Sequence, residues 1–530
     1  MDQLTLLLAL LLGALVTVPL GERLTLPPPV LMTVLGGLLA FLPFVPRPEI
    51  DPELILPLVL PPALFAAVRR TSWRQLRANL LPILLLAVAL VFVTTAAVAA
   101  VTVAVLPALP VAAAIALGAL VAPPDPIAAT AVAGQIGLPR RMVSVLAGEG
   151  LFNDVAAITT YNVAVAAVVS GTFSAGRALL DLLLSAVVAI AVGLALGWVS
   201  ARLRPLFGEA TLRVGFTLVL PFVAWTVAEE LHGSAVLAVL VMALYLGEQA
   251  ADPDDVAGRL TGAGFWEVVD TLVTGVAFGL IGLELHQVLD TTGHRWDRLL
   301  PAAALVLVVV VGVRLLWLLP AAWFAKWARG RAGATDDVPL SWRETVVMWW
   351  SGMRGVATVA LALALPLDMA DGGAFPQREA LVFLAFVTVL VTLVVQGLTL
   401  PGLAARLGVR ADRDVEEAFA NELAVRAARA AKRRLAEIEQ REDLPEEVSE
   451  ALVRRAYDIG VRISPAGMEN RLRESAAQRA GRVREIDARY AELLAAARRE
   501  VLEMRGEPGA DPEIVDRALR ELDRSSLPHG

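Results

Sequence analysis

Thirteen apolar stretches follow one another between Leu4 and Leu403, and most of them run for about 17 to 28 residues, enough to cross a hydrocarbon core of about 30 Å. A soluble domain cannot bury so many continuous runs, because each of its surface helices keeps one polar face for water. The pattern therefore predicts an all-α membrane protein. A mean hydropathy of +0.65, with 57% hydrophobic and 19% charged residues in 530, agrees with it. The runs read as 4–20, 28–45, 54–68, 80–106, 108–133, 142–169, 179–203, 214–228, 234–246, 265–285, 299–325, 345–367 and 380–403. The ninth is short and the third rich in proline, so a count of twelve is the alternative.

The first run follows Met-Asp rather than a basic region and lacks a small-residue cleavage site, so it is expected to be an anchor and not a signal peptide. With no cysteine, disulfides and thiolate chemistry are excluded. A formal charge of -7 gives no reason to expect a nucleic-acid partner.

The connections sort by charge. Arginines and one lysine gather after run three (Arg69, Arg70, Arg74, Arg77), after five (Arg140, Arg141), around the end of seven (Arg202, Arg204, Arg213), after eleven (Lys326, Arg329, Arg331) and after thirteen (Arg406, Arg410). The other connections are poorer in them, apart from Arg295 and Arg298 after run ten; the loop after nine is acidic, with Glu248, Asp252, Asp254 and Asp255. The positive-inside rule places the N-terminus outside and the C-terminus in the cytoplasm, as an odd count requires. From about Ala411 the sequence turns charged and alanine-rich. Two domains are expected: a transmembrane domain over 1–410 and a cytosolic helical tail over 411–530, regulatory or dimerising, with Phe419, Leu423, Val425 and Leu435 at helical spacing.

The runs are not uniformly apolar. "GEGLFNDVAAI" places Glu149, Asn153 and Asp154 within run six. A charge at a helix centre costs about 2.5 to 3.5 kcal/mol on insertion scales, so such residues persist where they are paired or needed. Glu149 and Asn153 are four apart and share a helix face, with Asp154 one position round. Run five carries "LVAPPDPIAATAV", where Pro123, Pro124 and Pro126 surround Asp125. Proline lacks an N–H and clashes with the carbonyl four residues back, so the helix is expected to unwind and free the carbonyls of Ala119, Leu120 and Ala122. Broken backbone at that depth must line a cavity or be buried, and free oxygens beside a carboxylate suit a small hard cation. A plain proline kink is the bland alternative, but it does not call for carboxylates on the next run.

Run twelve holds "WWSGMRGVATVALALALP", with Arg354 between Gly352 and Gly355. Arginine stays ionised and needs an anion in a membrane, unless it snorkels to the headgroups. Glu149 is the expected partner, in a structural ion pair that leaves Asp125 and Asp154 free for exchange. Runs twelve and thirteen, with Pro366 and "VVQGLTLPG", lie seven after five and six. An odd shift reverses orientation, which predicts inverted repeats with broken helices crossing at the midplane.

These motifs resemble those of the monovalent cation:proton antiporter-1 family, the NhaP-like bacterial antiporters and animal sodium/proton exchangers, over about residues 1–410. "GEGLFND" is similar to the family's "GESLLND", "PPDPIA" to "TDPVA", "LPPALF" at Leu60 to "LPPLLFE", and "GMRGV" to "GLRGA". The resemblance implies a homodimer with a dimerisation half and a mobile core. It implies that Asp154 binds cation and proton, that Asp125 and neighbouring backbone carbonyls such as that of Pro124 assist, and that Glu149 pairs with Arg354. The Asn153–Asp154 order implies electroneutral exchange of one cation for one proton. Three positions depart from the pattern: Pro124 replaces threonine, Gly150 replaces serine, and Ala66 stands where many members carry an acid. Together they remove up to three oxygen ligands, which makes potassium, or a wetter site, a stronger alternative to sodium.

The expected activity is secondary transport across the cell membrane, sodium for proton, with potassium or lithium as alternative cations, in the service of pH homeostasis and with no cofactor. Asp154 is expected to hold either a proton or a cation whenever the core domain crosses. A cation channel is the rival, but no "TVGYG" filter is present. An enzyme lacks support, because there is no HExxH, the four histidines (His232, His286, His294, His529) lie outside the run centres, and Ser351 has no evident base. The absence of a P-loop argues against a primary pump.

Overall fold

The computed structural model describes residues 3–463 except 25, 44, 46–51, 70–79, 126–127, 131–132, 134–135, 172–174, 250–255, 294–295, 333–340, 371, 411–412 and 442–444. Several expectations fall outside that set: Pro126, Arg70, Arg74, Arg77, Arg295, His294, the aspartates at 252, 254 and 255, the tail beyond Ile463, and the side chains of Arg140, Arg141, Lys326, Arg329, Arg331 and Phe419. The chain divides into two units, residues 1–410 and 411–530.

In the first unit the described regular structure is helical, apart from one isolated bridge between Asp368 and Ala374. The helices are α1 (Gln3–Leu24), α2 (Pro28–Ala40), α3 (Pro52–Arg69), α4 (80–105), α5 (Val111–Val121), α6 (Arg140–Ser170), α7 (Ala175–Leu203), α8 (Ala210–Glu230), α9 (Ala235–Gln249), α10 (Val256–Thr292), α11 (Trp296–Ala332), α12 (Trp342–Trp350), α13 (Val356–Leu363) and α14 (378–407). Eight apolar helices among the described residues are long enough to cross a bilayer, and four shorter apolar ones lie between them. Helix α3 continues through Pro57, Pro61 and Pro62. Run twelve differs from expectation: it is two short helices, α12 and α13, separated by residues 351–355. Arg354 thus sits in a gap and does not open a segment.

Burial follows lipid logic. Leu183, Leu184 and Val187 of α7 and Leu4, Leu8 and Leu12 of α1 are exposed, whereas Glu149, Asp154, Arg314 and Arg354 are buried. With hydrocarbon outside, water-loving groups gain by turning inward to one another. Small residues set the closest approaches. Gly36 of α2 lies so near α10 that a β-carbon there would sit 2.1 Å from the Gly279 carbonyl oxygen, the kind of backbone contact that packs membrane helices. Helix α12 begins on a capping box, in which Ser341 Oγ accepts from the Glu344 N–H at 3.2 Å and Glu344 accepts from the Ser341 N–H at 3.1 Å. Two π-helical turns, Leu85–Ala89 in α4 and Thr392–Gln396 in α14, break the helical register.

The second unit contains α15 (Arg413–Glu439) and α16 (Glu446–Ile463), packed on each other. Its buried stripe is Ala424, Ala428 and Leu435, with Val425 partly buried. Leu423, expected in that stripe, is 45% exposed. It stands one position off the repeat of four and seven that Ala424, Ala428 and Leu435 follow.

Candidate functional site

Two gaps in the helices face each other. The first follows α5: Pro123 and Pro124 cannot donate to the carbonyls of Ala119 and Leu120, so the helix stops and helical structure resumes at 128–130. There Asp125 Oδ1 accepts from the Ala128 N–H at 3.4 Å. The second gap is 351–355. The Asp125 N–H donates to the Met353 carbonyl at 2.7 Å, which joins one gap to the other. Gly355 is required by this approach, because a β-carbon on it would lie 1.4 Å from Asp125 Oδ2.

Arg354 supplies the rest of the junction. Its Nε donates to the Val121 carbonyl at 2.9 Å and its Nη2 to the Ala122 carbonyl at 3.0 Å. Its Nη1 donates to the Gly352 carbonyl, and its backbone N–H donates to Thr392 Oγ1 at 3.1 Å. The guanidinium therefore sits on the last carbonyls of α5, where the helix dipole is negative. The Ala122 carbonyl, expected to be free for a cation, instead accepts from the Arg354 guanidinium, whose positive charge beside it opposes a second cation there.

The expected ion pair is corrected too. Glu149 pairs with Arg314 of α11, not with Arg354: Arg314 Nη1 reaches Glu149 Oε1 at 2.5 Å and Nη2 reaches Oε2 at 2.9 Å. This is the two-pronged geometry that a planar guanidinium offers a carboxylate. Arg314 also donates to the Met348 carbonyl, at 3.3 and 3.4 Å. Both arginines are 2% exposed, so the snorkelling alternative for Arg354 falls as well. Sequence reasoning missed Arg314, although the same signal was available, a lone charge in the middle of run eleven.

Helix α6 brings the remaining residues to this place. Asn153 Nδ2 donates to the Pro124 carbonyl at 2.6 Å, so the side chain one step before Asp154 clasps the broken helix. Asn153 Oδ1 is buried and accepts no hydrogen bond. Asp154 and Asp125 both open on one cavity of about 420 Å³, together with Pro123 and Pro124. The α3 wall is apolar (Val59, Leu60, Ala63, Leu64, Ala67), and Ala66 beside it is buried. Oxygen atoms come instead from Thr130, Ser144 and Thr358, and from Asp270, Thr271 and Thr274 on α10. Asp270 lies within run ten and was not singled out from the sequence.

Interlocked helix gaps beside two buried carboxylates, in a bundle with a lipid-facing exterior, fit the class of membrane transporters. Over residues 7–406 the chain matches the family described as sodium/hydrogen exchanger, transmembrane, and it belongs to that family. An uncharacterized Na(+)/H(+) exchanger of Mycobacterium tuberculosis (strain ATCC 25618 / H37Rv) is 33% identical over 441 residues, 81% of this chain and 78% of that one. The Na(+)/H(+) antiporter ApNhaP of Aphanothece halophytica is 29% identical, over 76% of this chain and 74% of its own. Among solved structures, the sodium proton antiporter MjNhaP1 of Methanocaldococcus jannaschii at pH 8 shares the fold with a TM-score of 0.56 at 20% identity, covering 77% of this chain and 99% of that one. The protein is thus a multi-pass cell-membrane protein of a cation/proton antiporter family, a transporter rather than a classical enzyme.

Proposed function

We propose that the chain exchanges one sodium ion for one proton, electroneutrally and by alternating access, with Asp154 shared between the two. The supporting observation is that Asp154 is buried in the bundle yet opens, with Asp125, on the same cavity at the broken helix. A single carboxylate that must hold either ion before the core crosses couples the two fluxes without further machinery. Asp125 assists from the far side of the gap. Asn153 positions the Pro124 carbonyl and offers Oδ1 as a ligand; that carbonyl keeps a second lone pair for the ion.

Potassium and lithium are the alternative cargoes. The cavity is much larger than a bare ion needs, since one water's share of liquid volume is about 30 Å³, and a partly hydrated cation has room. A relative from Bacillus subtilis (strain 168), 28% identical over 71% of this chain and 57% of its own length, is called a sodium, potassium, lithium and rubidium/H(+) antiporter. A channel reading gains nothing specific from the site. The thirteen-span count, inverted repeats, external N-terminus and cytoplasmic helical tail belong to the same proposal, as do a homodimer and a part in pH homeostasis.

Asp154→Asn is expected to abolish cation-driven pH recovery in everted vesicles while the protein still folds. Full exchange in that variant overturns the assignment.

A further inference from the structure

Helix α10 carries a second buried acid that the exchange site does not use. Glu284 is only 8% exposed, and its Oε2 has no hydrogen-bond partner. It lines a small pocket of about 10 Å³ whose other walls are hydrocarbon: Ala277, Leu280 and Ile281 of its own helix, Ile55 of α3, and Val356 and Val359 among the residues of α13. That volume is near the lower limit for one water molecule.

We propose that Glu284 is a second proton-binding group of this exchanger, whose proton is held while α13 stays packed on α10. The argument starts from solvation. A carboxylic acid fits an apolar pocket at modest cost, whereas a bare carboxylate there lacks both water and a countercharge. Helix α10 packs against α1, α2, α3, α8, α13 and α14. Of these, α2 and α13 carry no charge. The charged groups on the others are Glu22 and Arg23 of α1, Glu53 and Arg69 of α3, Arg213, Glu229 and Glu230 of α8, and Arg378, Glu379 and Arg406 of α14. Helix α10 itself adds Arg259, Glu267, Asp270, His286 and Asp290, with His286 lying 3.1 Å from Asp290. Apart from Glu53 and Arg259, whose side chains are not described, none of these groups lines the pocket. Arg378 comes to its edge, but its Nη2 donates to the Leu363 carbonyl at 2.7 Å and its Nε to that of Leu365 at 2.8 Å. Ionising Glu284 therefore requires water, and water requires α13 to part from α10.

Helix α13 is no bystander. It starts at Val356, directly after Gly355, which touches Asp125, and Met353, which accepts from the Asp125 N–H. A proton on Glu284 and the position of the broken helix are then linked, and by reciprocity each biases the other. The assignment rests on the exchanger reading only for its purpose. Its test reads accessibility, not transport.

The chain has no cysteine, so Val359→Cys introduces a single thiol at the pocket wall of the full-length protein. Its rate of reaction with N-ethylmaleimide in membrane vesicles is measured across pH, alone and combined with Glu284→Gln. Dividing the two rates at each pH removes the intrinsic pH dependence of the thiol; a carboxylate beside it disfavours the thiolate and can only lower the ratio, so a rise reports opening. The ratio is expected to stay near one at acid pH and to rise about tenfold toward alkaline pH, as a differential proton affinity of one pH unit produces. A flat ratio overturns the proposal. Ala360→Cys and Glu284→Leu replace any variant that does not fold. Repeating the series with Asp154→Asn keeps the two readings apart: a ratio that still rises supports Glu284 as an independent group, and one that collapses returns the effect to Asp154.

Discussion

Arg314 and Arg354 are buried to the same degree in one bundle, and they are neutralised in different ways. Arg314 meets a full countercharge, Glu149, through two hydrogen bonds. Arg354 meets the end of a helix: two carbonyls of the α5 terminus and one of its own loop. The first solution ties α11 to α6 with formal charge. The second uses fractional charge to hold a helix open at a chosen place. A membrane bundle can thus employ an arginine either as half of an ion pair or as a cap, and its neighbours decide which.

The comparison is broken most severely at the ion pair. Glu149→Ala or Arg314→Ala leaves one charge buried alone, and about 3 to 5 kcal/mol of stability should be lost. Size-exclusion profiles and melting in detergent are expected to show little folded protein for either single variant. Combining Glu149→Met with Arg314→Met should recover much of it, since the pair leaves together. Recovery that fails removes the ion-pair account.

Arg354→Met tests the cap. It removes donors from Val121 and Ala122 rather than stranding a formal charge, and each deserted carbonyl is worth about 1 to 3 kcal/mol. Melting should fall less than for Arg314→Ala, and exchange should fall with it, because the gap at Asp125 loses its support. Equal melting losses at the two positions would show that both arginines act as simple countercharges. The smallest effect belongs to Thr392→Val, which takes away one acceptor from the Arg354 N–H, about 1 kcal/mol. It should lower melting slightly and leave Glu149 and Arg314 paired.

Much of the site was legible because lipid makes polar residues conspicuous. Asp125, Glu149, Asn153, Asp154 and Arg354 stood out in apolar runs, and the structure gathers them around the two gaps. The pairing was not legible: Glu149 and Arg314 are far apart in sequence, and with two intramembrane arginines only geometry chooses between them. A broken helix in run twelve was expected, but not its place at 351–355, because glycines at 352 and 355 interrupt a helix less visibly than the prolines at 123 and 124. Nor did any residue pattern announce the π-helical turn that brings Thr392 to Arg354. Asp270 and Glu284 carry the same signal inside run ten, but a charge in an apolar run does not by itself say whether it lines a cavity or meets a partner.

The mutual bonding of the two gaps has a mechanical consequence. Each supplies what the other's backbone lacks, the Met353 carbonyl for the Asp125 N–H and the Arg354 guanidinium for the end of α5, so separating them would strand several polar groups at once. In the exchange proposed above, such a joint would travel whole. An ion seated there would be ferried by a solid carriage, its coordination made once and kept from bank to bank.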